Sequence, residues 1–317
     1  MDYITKGDTI IFSPNCNDKL DINLLLNFNK LIFSNFDLNY ELFEVYENNN
    51  FNNLKCVGNK FNQEVNNLPQ NITHLIFGSN FNQEVNNLPE NITHLTFGWN
   101  FNQKVDMLPQ KITRLTFRWD FNQKVNNLPQ KITHLKFGFK FDQKVNNLPQ
   151  SVIHLTFDYS FNQKVNRLPQ KITYLTFGRN FNQDVNMLPQ SITYLAFGYY
   201  FNQICNIPSN IKYLRLNCNN QYIINNLPNS IEGLKLDYNF SLELNNLPSS
   251  VKKIVFCENS EYDAELNCLP NFIEFLQLPK KYNKRILNSP KELKEIICSK
   301  NYEFLSDFSN YNVEYYD

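Results

Sequence analysis

A twenty-residue repeat occupies the middle of this 317-residue chain. The stretch from Phe61 to Asn80, FNQEVNNLPQNITHLIFGSN, returns almost letter for letter, and each copy begins twenty residues after the one before. The further copies begin at Phe81, Phe101, Phe121, Phe141, Phe161 and Phe181. A short fixed period is typical of proteins in which one small unit stacks on copies of itself, because a single unit cannot bury its own apolar face. The sequence therefore predicts a solenoid built from rungs.

Each copy combines a short strand with an extended return segment. In the first copy, Leu75 and Phe77 alternate with His74 and Ile76, which is the period of two expected of a strand with one buried side. One proline per copy, Pro69 in the first, argues against a helix in the other half, because proline lacks an N–H and breaks helix interiors. The expected fold class is an α/β-type repeat solenoid that is mostly β, with one long parallel sheet, polyproline-like return segments and little helix.

The repeat register continues in looser form towards both ends of the chain. We therefore expect one continuous solenoid domain of about fifteen rungs. Its parts are irregular N-terminal rungs and a cap (1–60), seven near-identical copies plus the start of the next (61–202), divergent repeats (203–298) and a tyrosine-rich C-terminal cap (299–317).

Three segments before the first regular copy fit the strand pattern. They are Thr9–Phe12, Phe28–Phe33 and Phe51–Cys56, and residues 37–50 form one longer insertion with room for a short helix. End rungs have one face without a neighbour, so irregular sequences are expected there.

Composition and charge point to a soluble, non-secreted protein. The formal net charge is zero, apolar residues make up 42% of the chain, and no long apolar run is present. The opening MDYITKGDTIIF lacks the basic stretch and apolar core of a secretory signal. The seven cysteines are odd in number and show no CxxC spacing, which favours a reducing compartment over a disulfide framework or a zinc site. We expect a cytoplasmic monomer without contact to membranes.

An asparagine follows the first phenylalanine of nearly every copy. This series begins at Asn62, and Asp142 is its exception within the regular copies. A side chain with both a donor and an acceptor can satisfy backbone groups from rung to rung. A second series, beginning at Asn80, is interrupted by Asp120 and Lys140, so we expect the Asn62 series to be the structural one.

The consensus LPxxITHLxFGxxFNQ resembles the FNIP repeat, found in proteins of social amoebae and of the large DNA viruses that infect amoebae. The resemblance is close over residues 61–202 and loose over about 28–298. It implies a leucine-rich-repeat-like, right-handed stack whose strand face is concave and binds ligands. Many viral members also carry an N-terminal F-box that docks a ubiquitin-ligase core. Here rungs already occupy the first sixty residues and no LPxE-type opening is found, so a ligase adaptor is kept as an alternative function.

Function is expected where the copies differ on the exposed strand face. Both tryptophans of the chain fall just beyond the strand, in a column that also holds arginine, and such a composition is typical of interface hot spots. The candidate partner-binding residues of this column are Trp99, Trp119, Phe139, Tyr159 and Tyr199. Those of the column that opens each strand are His94, Arg114, His134, His154, Tyr174 and Tyr194. The alternative is that the aromatic rings only stack on one another and shield the rung edge.

No residue pattern indicates catalysis or a cofactor. All four histidines lie in one column, but that column changes to arginine and tyrosine and has no carboxylate or cysteine beside it, so no metal site is expected. No Ser-His-Asp or Cys-His arrangement, phosphate loop or carboxylate pair stands out. We therefore expect a non-enzyme without cofactors.

The charge is uneven along the chain. Residues 101–180 carry thirteen basic and four acidic side chains, which suggests nucleic-acid or acidic-partner binding as a further alternative. The basic residues alternate between the return segment, as at Lys104, and the strand face, as at Arg114, which makes nucleic-acid binding the weaker reading. The preferred function is a protein–protein interaction scaffold that holds a host-cell protein on its strand face.

Overall fold

The computed structural model describes residues 2–36 and 56–316. These residues belong to two compact units, Met1–Phe161 (unit 1) and Asn162–Asp317 (unit 2). The helix considered for residues 37–50, and Phe51 to Lys55 of the third early rung, lie outside the described residues.

Unit 1 contains eight strands and one short helix among its described residues. The strands are β1 (Tyr3–Lys6), β2 (Thr9–Phe12), β3 (Lys30–Phe33), β4 (His74–Ile76), β5 (His94–Thr96), β6 (Arg114–Thr116), β7 (His134–Lys136) and β8 (His154–Thr156), and the helix is α1 (Ile22–Leu25). Strands β2 to β8 pair in chain order and in parallel. Strand β1 instead pairs antiparallel with β2 through a tight turn at Gly7, whose φ is 56°. This hairpin was not predicted.

The third early rung was predicted wrongly. Strand β3 pairs directly with β4, with Leu31 opposite Leu75, so no strand lies between them. Cys56, expected to be an inward residue of that rung, is exposed and forms only an isolated antiparallel bridge with Phe36. The two earlier segments, at Thr9–Phe12 and Phe28–Phe33, do place strands in the sheet.

Unit 2 contains eight strands, one short α-helix and one turn of 3₁₀ helix. The strands are β9 (Tyr174–Thr176), β10 (Tyr194–Phe197), β11 (Tyr213–Leu216), β12 (Gly233–Leu236), β13 (Lys253–Phe256), β14 (Phe275–Gln277), β15 (Glu295–Cys298) and β16 (Asn312–Tyr315), with α2 at Gln221–Asn225 and the 3₁₀ helix at Leu305–Phe308. All eight strands pair in parallel and in chain order. The expected cap therefore leaves the twenty-residue register but returns to the sheet as β16. The fold is a mostly β, parallel-sheet solenoid of about 14 turns, as predicted from the repeat.

Two columns of phenylalanine fill the core behind the strands. In unit 1, Phe77 lies 3.7 Å from Phe81 and 5.7 Å from Phe97, measured between ring centroids, and the rings are nearly parallel. Side chains at these positions are at most 2% exposed, which confirms the predicted core. Because each ring is covered by rings of the neighbouring rungs, the apolar area is removed from water only in the stack.

The proline of each copy begins a turn that leads into the strand. In the first copy the N–H of Ile72 donates to the carbonyl of Pro69 at 3.2 Å, and Ile92 and Pro89 repeat this bond in the second. The return segments between residues 61 and 200 contain turns and extended chain without a helix. The proline-based prediction for this half of the rung is confirmed.

The Asn62 series forms the ladder predicted from the sequence. The N–H of Asn82 donates to Oδ1 of Asn62 at 2.9 Å, and Asn102 and Asn122 repeat the bond one rung further on each time. The N–H of Asp142 donates in the same way to Asn122. In the Asn80 series, a 3.4 Å side-chain contact joins Asn100 to Asn80, and the N–H groups of both residues donate to backbone carbonyls of the preceding rung, not to an asparagine side chain.

We expect Asn102→Ala to lower the free energy of unfolding by about 0.5–1.5 kcal/mol, the usual net contribution of a hydrogen bond. Asn102→Asp should retain most of the stability, because a carboxylate oxygen can also accept from the next rung. Urea unfolding followed by circular dichroism measures both effects. Asn100→Ala is the matched control, and an equal loss in Asn100→Ala and Asn102→Ala would show that the ladder has no special role.

Candidate functional site

The strands of unit 1 present a row of polar side chains above a leucine floor. Leu95, Leu115 and Leu135 are the middle residues of β5, β6 and β7 and are at most 2% exposed. Residues on either side of each leucine point the other way, because successive side chains of a strand alternate between faces. These outward residues form the strand face of unit 1.

The histidines of this face form two stacked pairs. The ring centroids of His74 and His94 are 4.1 Å apart, and those of His134 and His154 are 4.4 Å apart. Arg114 stands opposite His94 on one side and His134 on the other, and it is exposed. The structure thus places His94, Arg114, His134 and His154 in one column as predicted.

Three of the histidine rings lie within hydrogen-bond distance of the hydroxyl of the preceding threonine. Thr73, Thr93 and Thr133 lie with Oγ1 at 2.9 Å from Nδ1 of the histidine that follows each of them. The pKa of His94 is lowered to about 4, chiefly by burial and then by the neighbouring His74 and Arg114. The pKa values of His134 and His154 are also lowered, chiefly by burial and then by nearby positive groups. The column is therefore neutral at its histidines and positive at Arg114 near pH 7.

The predicted aromatic column forms an unbroken ladder in unit 1. Trp99 and Trp119 lie 6.3 Å apart at an interplanar angle of 40°, Trp119 stacks on Phe139 at 4.1 Å, and Phe139 stacks on Tyr159 at 4.3 Å. We call these four side chains the aromatic ladder. Trp99 is 42% exposed and Trp119 is 46% exposed, whereas Phe139 and Tyr159 are half-buried. The rings do stack on one another, as the alternative interpretation held, yet they leave two tryptophans open to solvent.

Ser79 stands one rung before Trp99 but does not belong to the exposed ladder. Its hydroxyl donates to Oδ1 of Asn35 at 2.6 Å and accepts the N–H of Asn59 at 3.0 Å. All three residues are buried. The aromatic ladder therefore begins at Trp99.

Unit 2 replaces the histidines by tyrosines. Tyr174 and Tyr194 stack at 4.2 Å, and burial raises the pKa of Tyr194 to about 12. Arg179 lies over the rings of Tyr199 and Tyr200, with its guanidinium carbon 5.1 and 5.7 Å from their centroids. The predicted residues Tyr174, Tyr194 and Tyr199 thus form two clusters within this unit.

Two exposed aromatic residues of unit 2 were not among the candidate partner-binding residues, although Tyr213 continues the column that runs from His94 to Tyr194. Tyr200 is 51% exposed and meets Tyr199 edge to face, although the sequence showed it only as a break in an asparagine series. Tyr213 is 48% exposed, and its ring lies against Gly233. A Cβ added to that glycine would be 2.8 Å from the nearest ring atom of Tyr213. A glycine on the outward side of a strand was the available signal for Tyr213, because it allows a neighbouring ring to lie flat.

Equivalent rings lie closer together on the strand face than in the core near the return segment. In unit 1 the separation is 4.1 Å for His74 and His94 but 6.1 Å for Phe61 and Phe81. In unit 2 it is 4.2 Å at Tyr174 and Tyr194, and 6.0 Å between Phe181 and the next ring of its column.

The strand face presents hydrogen-bonding, charged and apolar groups to solvent. Within residues 2–36 and 56–316, no group of three or more histidine, cysteine or carboxylate side chains is arranged to hold a metal ion. In the same residues, none of the helices has the length and apolar content needed to cross a bilayer. Neutral imidazoles, the exposed indoles and the cations Arg114 and Lys136 offer hydrogen bonds, apolar edges and two positive charges to a ligand.

The family model described as FNIP Repeat matches residues 61–87, 84–118, 104–140, 164–200, 183–219, 201–239 and 219–259. These matches cover more than half of the chain. The chain belongs to the FNIP-repeat family. A search of curated proteins found no match to this FNIP-repeat protein.

Two solved structures resemble the FNIP-repeat chain over most of its length. CroV588, described as a circular LRR protein and coming from a giant virus, is similar with a TM-score of 0.74 and 33% identity over 94% of this chain and 48% of its own. The functional domain of InlJ from Listeria monocytogenes is similar with a TM-score of 0.51 and 13% identity over 88% of this chain and 65% of its own. The chain thus spans about half the length of CroV588. Both comparisons support the leucine-rich-repeat-like fold.

We expect the wild-type protein to lose stability as the pH falls from 6.5, the ordinary histidine value, to about 4, the value at His94. In this pH window His94 is protonated in the unfolded chain but not in the folded one. Proton binding therefore stabilises the unfolded state and lowers the free energy of unfolding. Below the folded value both states are protonated and the loss levels off. His94→Gln should reduce the loss by about 1–2 kcal/mol, allowing for the partial exposure of the ring.

Urea unfolding at a series of pH values measures this effect. Wild type and His94→Gln should run parallel above the window and diverge within it. Parallel curves throughout would contradict a lowered pKa at His94.

Proposed function

We propose that this FNIP-repeat chain is a non-enzymatic scaffold that binds a partner protein on its strand face. In unit 1 the site consists of the aromatic ladder together with the histidine and arginine column from His94 to His154. In unit 2 the tyrosine clusters around Tyr174 and Tyr199 extend the same function. The partner is expected to be a host-cell protein. All seven cysteines are free thiols, which favours a reducing compartment such as the cytoplasm as the place of binding.

The observation that carries the proposal is the exposure of Trp99 and Trp119 on a rigid frame. Large aromatic side chains lose little conformational entropy on binding, and exposed ones on an ordered surface are typical interface anchors. Here Trp119 is already fixed by stacking on Phe139 and by its place in the rung, where its carbonyl accepts the N–H of Lys140 at 2.8 Å. A partner would therefore meet a preorganised surface.

The fold and family favour the same conclusion. Leucine-rich-repeat-like solenoids are repeat scaffolds that expose a long surface, and each rung adds to it without changing the core. The strand face of unit 1 varies from rung to rung while the phenylalanines and leucines beneath it do not. Variation confined to an ordered outer face is expected where a surface is adapted to a ligand.

The test is capture of proteins from host-cell lysate by immobilised wild type and by Trp99→Ala/Trp119→Ala. We expect the double variant to lose at least tenfold in affinity for the specific partner, the effect of removing about 1.4 kcal/mol or more at a hot spot. The captured protein is then purified, and its affinity for each variant is measured directly.

The matched control is Met107→Ala/Met187→Ala. Met107 is 66% exposed and Met187 is 64% exposed, and both lie on return segments away from the strands. This variant removes a comparable number of exposed apolar residues and should bind as wild type does. Equal binding by the tryptophan variant and the methionine variant would overturn the proposed site.

A further inference from the structure

We infer that the strand face of unit 1 takes an acidic polypeptide segment, held by Arg114 and Lys136 beside the aromatic ladder. This inference rests on the proposed function and adds the chemistry of the partner. It concerns two cations of the strand face and leaves aside the lysines of the return segments.

The outward residues of β4 to β8 include no carboxylate. Each of these five strands has three residues with a buried leucine in the middle, so it offers two outward side chains. The outward residues are His74, Ile76, His94, Thr96, Arg114, Thr116, His134, Lys136, His154 and Thr156. Arg114 and Lys136 are the two formal charges of the set, since the histidine pKa values are lowered.

The two cations have no carboxylate within ion-pair distance among the described residues. Arg114 is flanked by His94 and His134, and Lys136 is flanked by threonines of the two adjoining strands. Both side chains are exposed. The positive charge of Arg114 contributes to the lowered pKa values of three histidines, His94, His134 and His154.

Several other cations of the chain form ion pairs with carboxylates of neighbouring rungs. In unit 1, Lys140 Nζ lies 2.7 Å from Asp120 Oδ1. In unit 2, Arg215 Nε lies 2.6 Å from Asp237 Oδ2, and Lys212 Nζ lies 3.0 Å from a carboxylate oxygen of Glu232. The strand-face cations of unit 1 thus differ from Arg215, which is a strand-face cation of unit 2 with a carboxylate partner.

The carboxylates nearest in sequence do not neutralise this face, and two of them, Asp106 and Asp142, lie on the return segments. Asp120 is paired with Lys140, as described above. Asp158 stands beyond the end of β8 and accepts the N–H of Tyr159 at 2.8 Å. Glu90 lies in the turn before β5 and is exposed. A positive potential therefore remains over the outward side of β6 and β7, where the apolar leucine floor limits screening from below.

Cation and aromatic groups are close enough for one ligand segment to reach both. Lys136 precedes Phe139 by three residues, a span of at most about 10 Å even when extended. Phe139 stacks on Trp119, so the same segment meets an indole next to it. An extended segment with acidic side chains and apolar or aromatic neighbours matches this arrangement.

Nucleic acid fits the face less well than a polypeptide. A polyanion binds by contacts from many cations, on the order of 6–10 phosphates in tight complexes. The face offers two, while Lys104 and Lys124 lie on the return segments. In addition, the faces of the ladder rings already stack on one another, so few are available for bases.

The first test uses the two tryptophans as reporters, since Trp99 and Trp119 are the only ones in the chain. Quenching of their fluorescence is measured with iodide, an anion, and with acrylamide, which is neutral. We expect Arg114→Gln/Lys136→Gln to lower iodide quenching about twofold at low salt, because the local positive potential is lost. Acrylamide quenching should not change if the fold and exposure are intact.

The matched control is Lys104→Gln/Lys124→Gln, which removes the same formal charge from the return segments of the same unit. It should leave iodide quenching near the wild-type value. If both double variants lower iodide quenching equally, the positive potential near the tryptophans comes from the charge of the whole protein. That result would contradict the inference.

The second test measures binding of defined probes by the same fluorescence at low and at physiological salt. The probes are a peptide of alternating glutamate and tyrosine, its lysine–tyrosine counterpart, and oligothymidylate. We expect the acidic peptide to bind best and to lose most of its affinity in Arg114→Gln/Lys136→Gln. Stronger binding of oligothymidylate, or equal binding of the two peptides, would overturn the inference.

Failure of the acidic-partner inference can be distinguished from failure of the proposed scaffold function. A protein captured through Trp99 and Trp119, whose affinity is unchanged by Arg114→Gln/Lys136→Gln and by salt, would leave the scaffold function standing and remove the acidic partner. Loss of capture in Arg114→Gln/Lys136→Gln alone, with none in Trp99→Ala/Trp119→Ala, would support the acidic partner and refute the aromatic site.

Discussion

Burial of each rung by its neighbours is the interaction on which the rest of the structure depends. A rung offers one short strand, two phenylalanines and a few aliphatic side chains, and it has no second layer of its own to cover them. The nearly parallel stacks, such as Phe77 on Phe81 at 3.7 Å and Phe81 on Phe101 at 6.1 Å, supply that cover from the neighbouring copies. Within residues 61–200, the identical spacing of the copies keeps equivalent rings in contact from one rung to the next.

The same repetition provides hydrogen-bond acceptors for backbone N–H groups of the return segments. The return segments have no helix or sheet partners for all of their N–H groups, and the Asn62 series accepts one of these per rung. The buried core and the asparagine ladder of the return segments leave the outer strand face free to vary, because outward side chains contribute little to the buried stack. That division explains how one repeat can hold histidines in unit 1 and tyrosines in unit 2 on the same backbone.

Much of this organisation could be predicted from the sequence because the copies act as their own alignment. The period predicted the solenoid, and the alternation around Leu75 predicted the strand. The Asn62 series, with Asp142 as its one exception within the regular copies, was distinguished from the more often interrupted Asn80 series. Predictions were weaker where the period lapses. The β1 hairpin and the absence of a strand between β3 and β4 depend on end effects, for which the chain contains no second copy to compare.

The site was predicted in part for the same reason. The columns fixed which residues share a face, so the aromatic ladder and the histidine column followed directly. Sequence alone could not distinguish Ser79, buried against Asn35, from Trp99, exposed one rung later. Nor could it show that Arg114 lacks an acidic partner while Arg215 has one, because the carboxylate of Asp237 lies in the following rung.

Deletion of one full repeat tests the central claim most directly. Removing residues 101–120 joins Asn100 to Phe121 and restores every rung-to-rung contact, whereas removing 101–110 breaks the register between copies. We expect the full-repeat deletion to unfold cooperatively in urea with a strand signal like that of wild type, and the half-repeat deletion to be largely unfolded. Equal stability of the two deletions would contradict the account, since it would mean that the fold does not depend on stacking of equivalent positions.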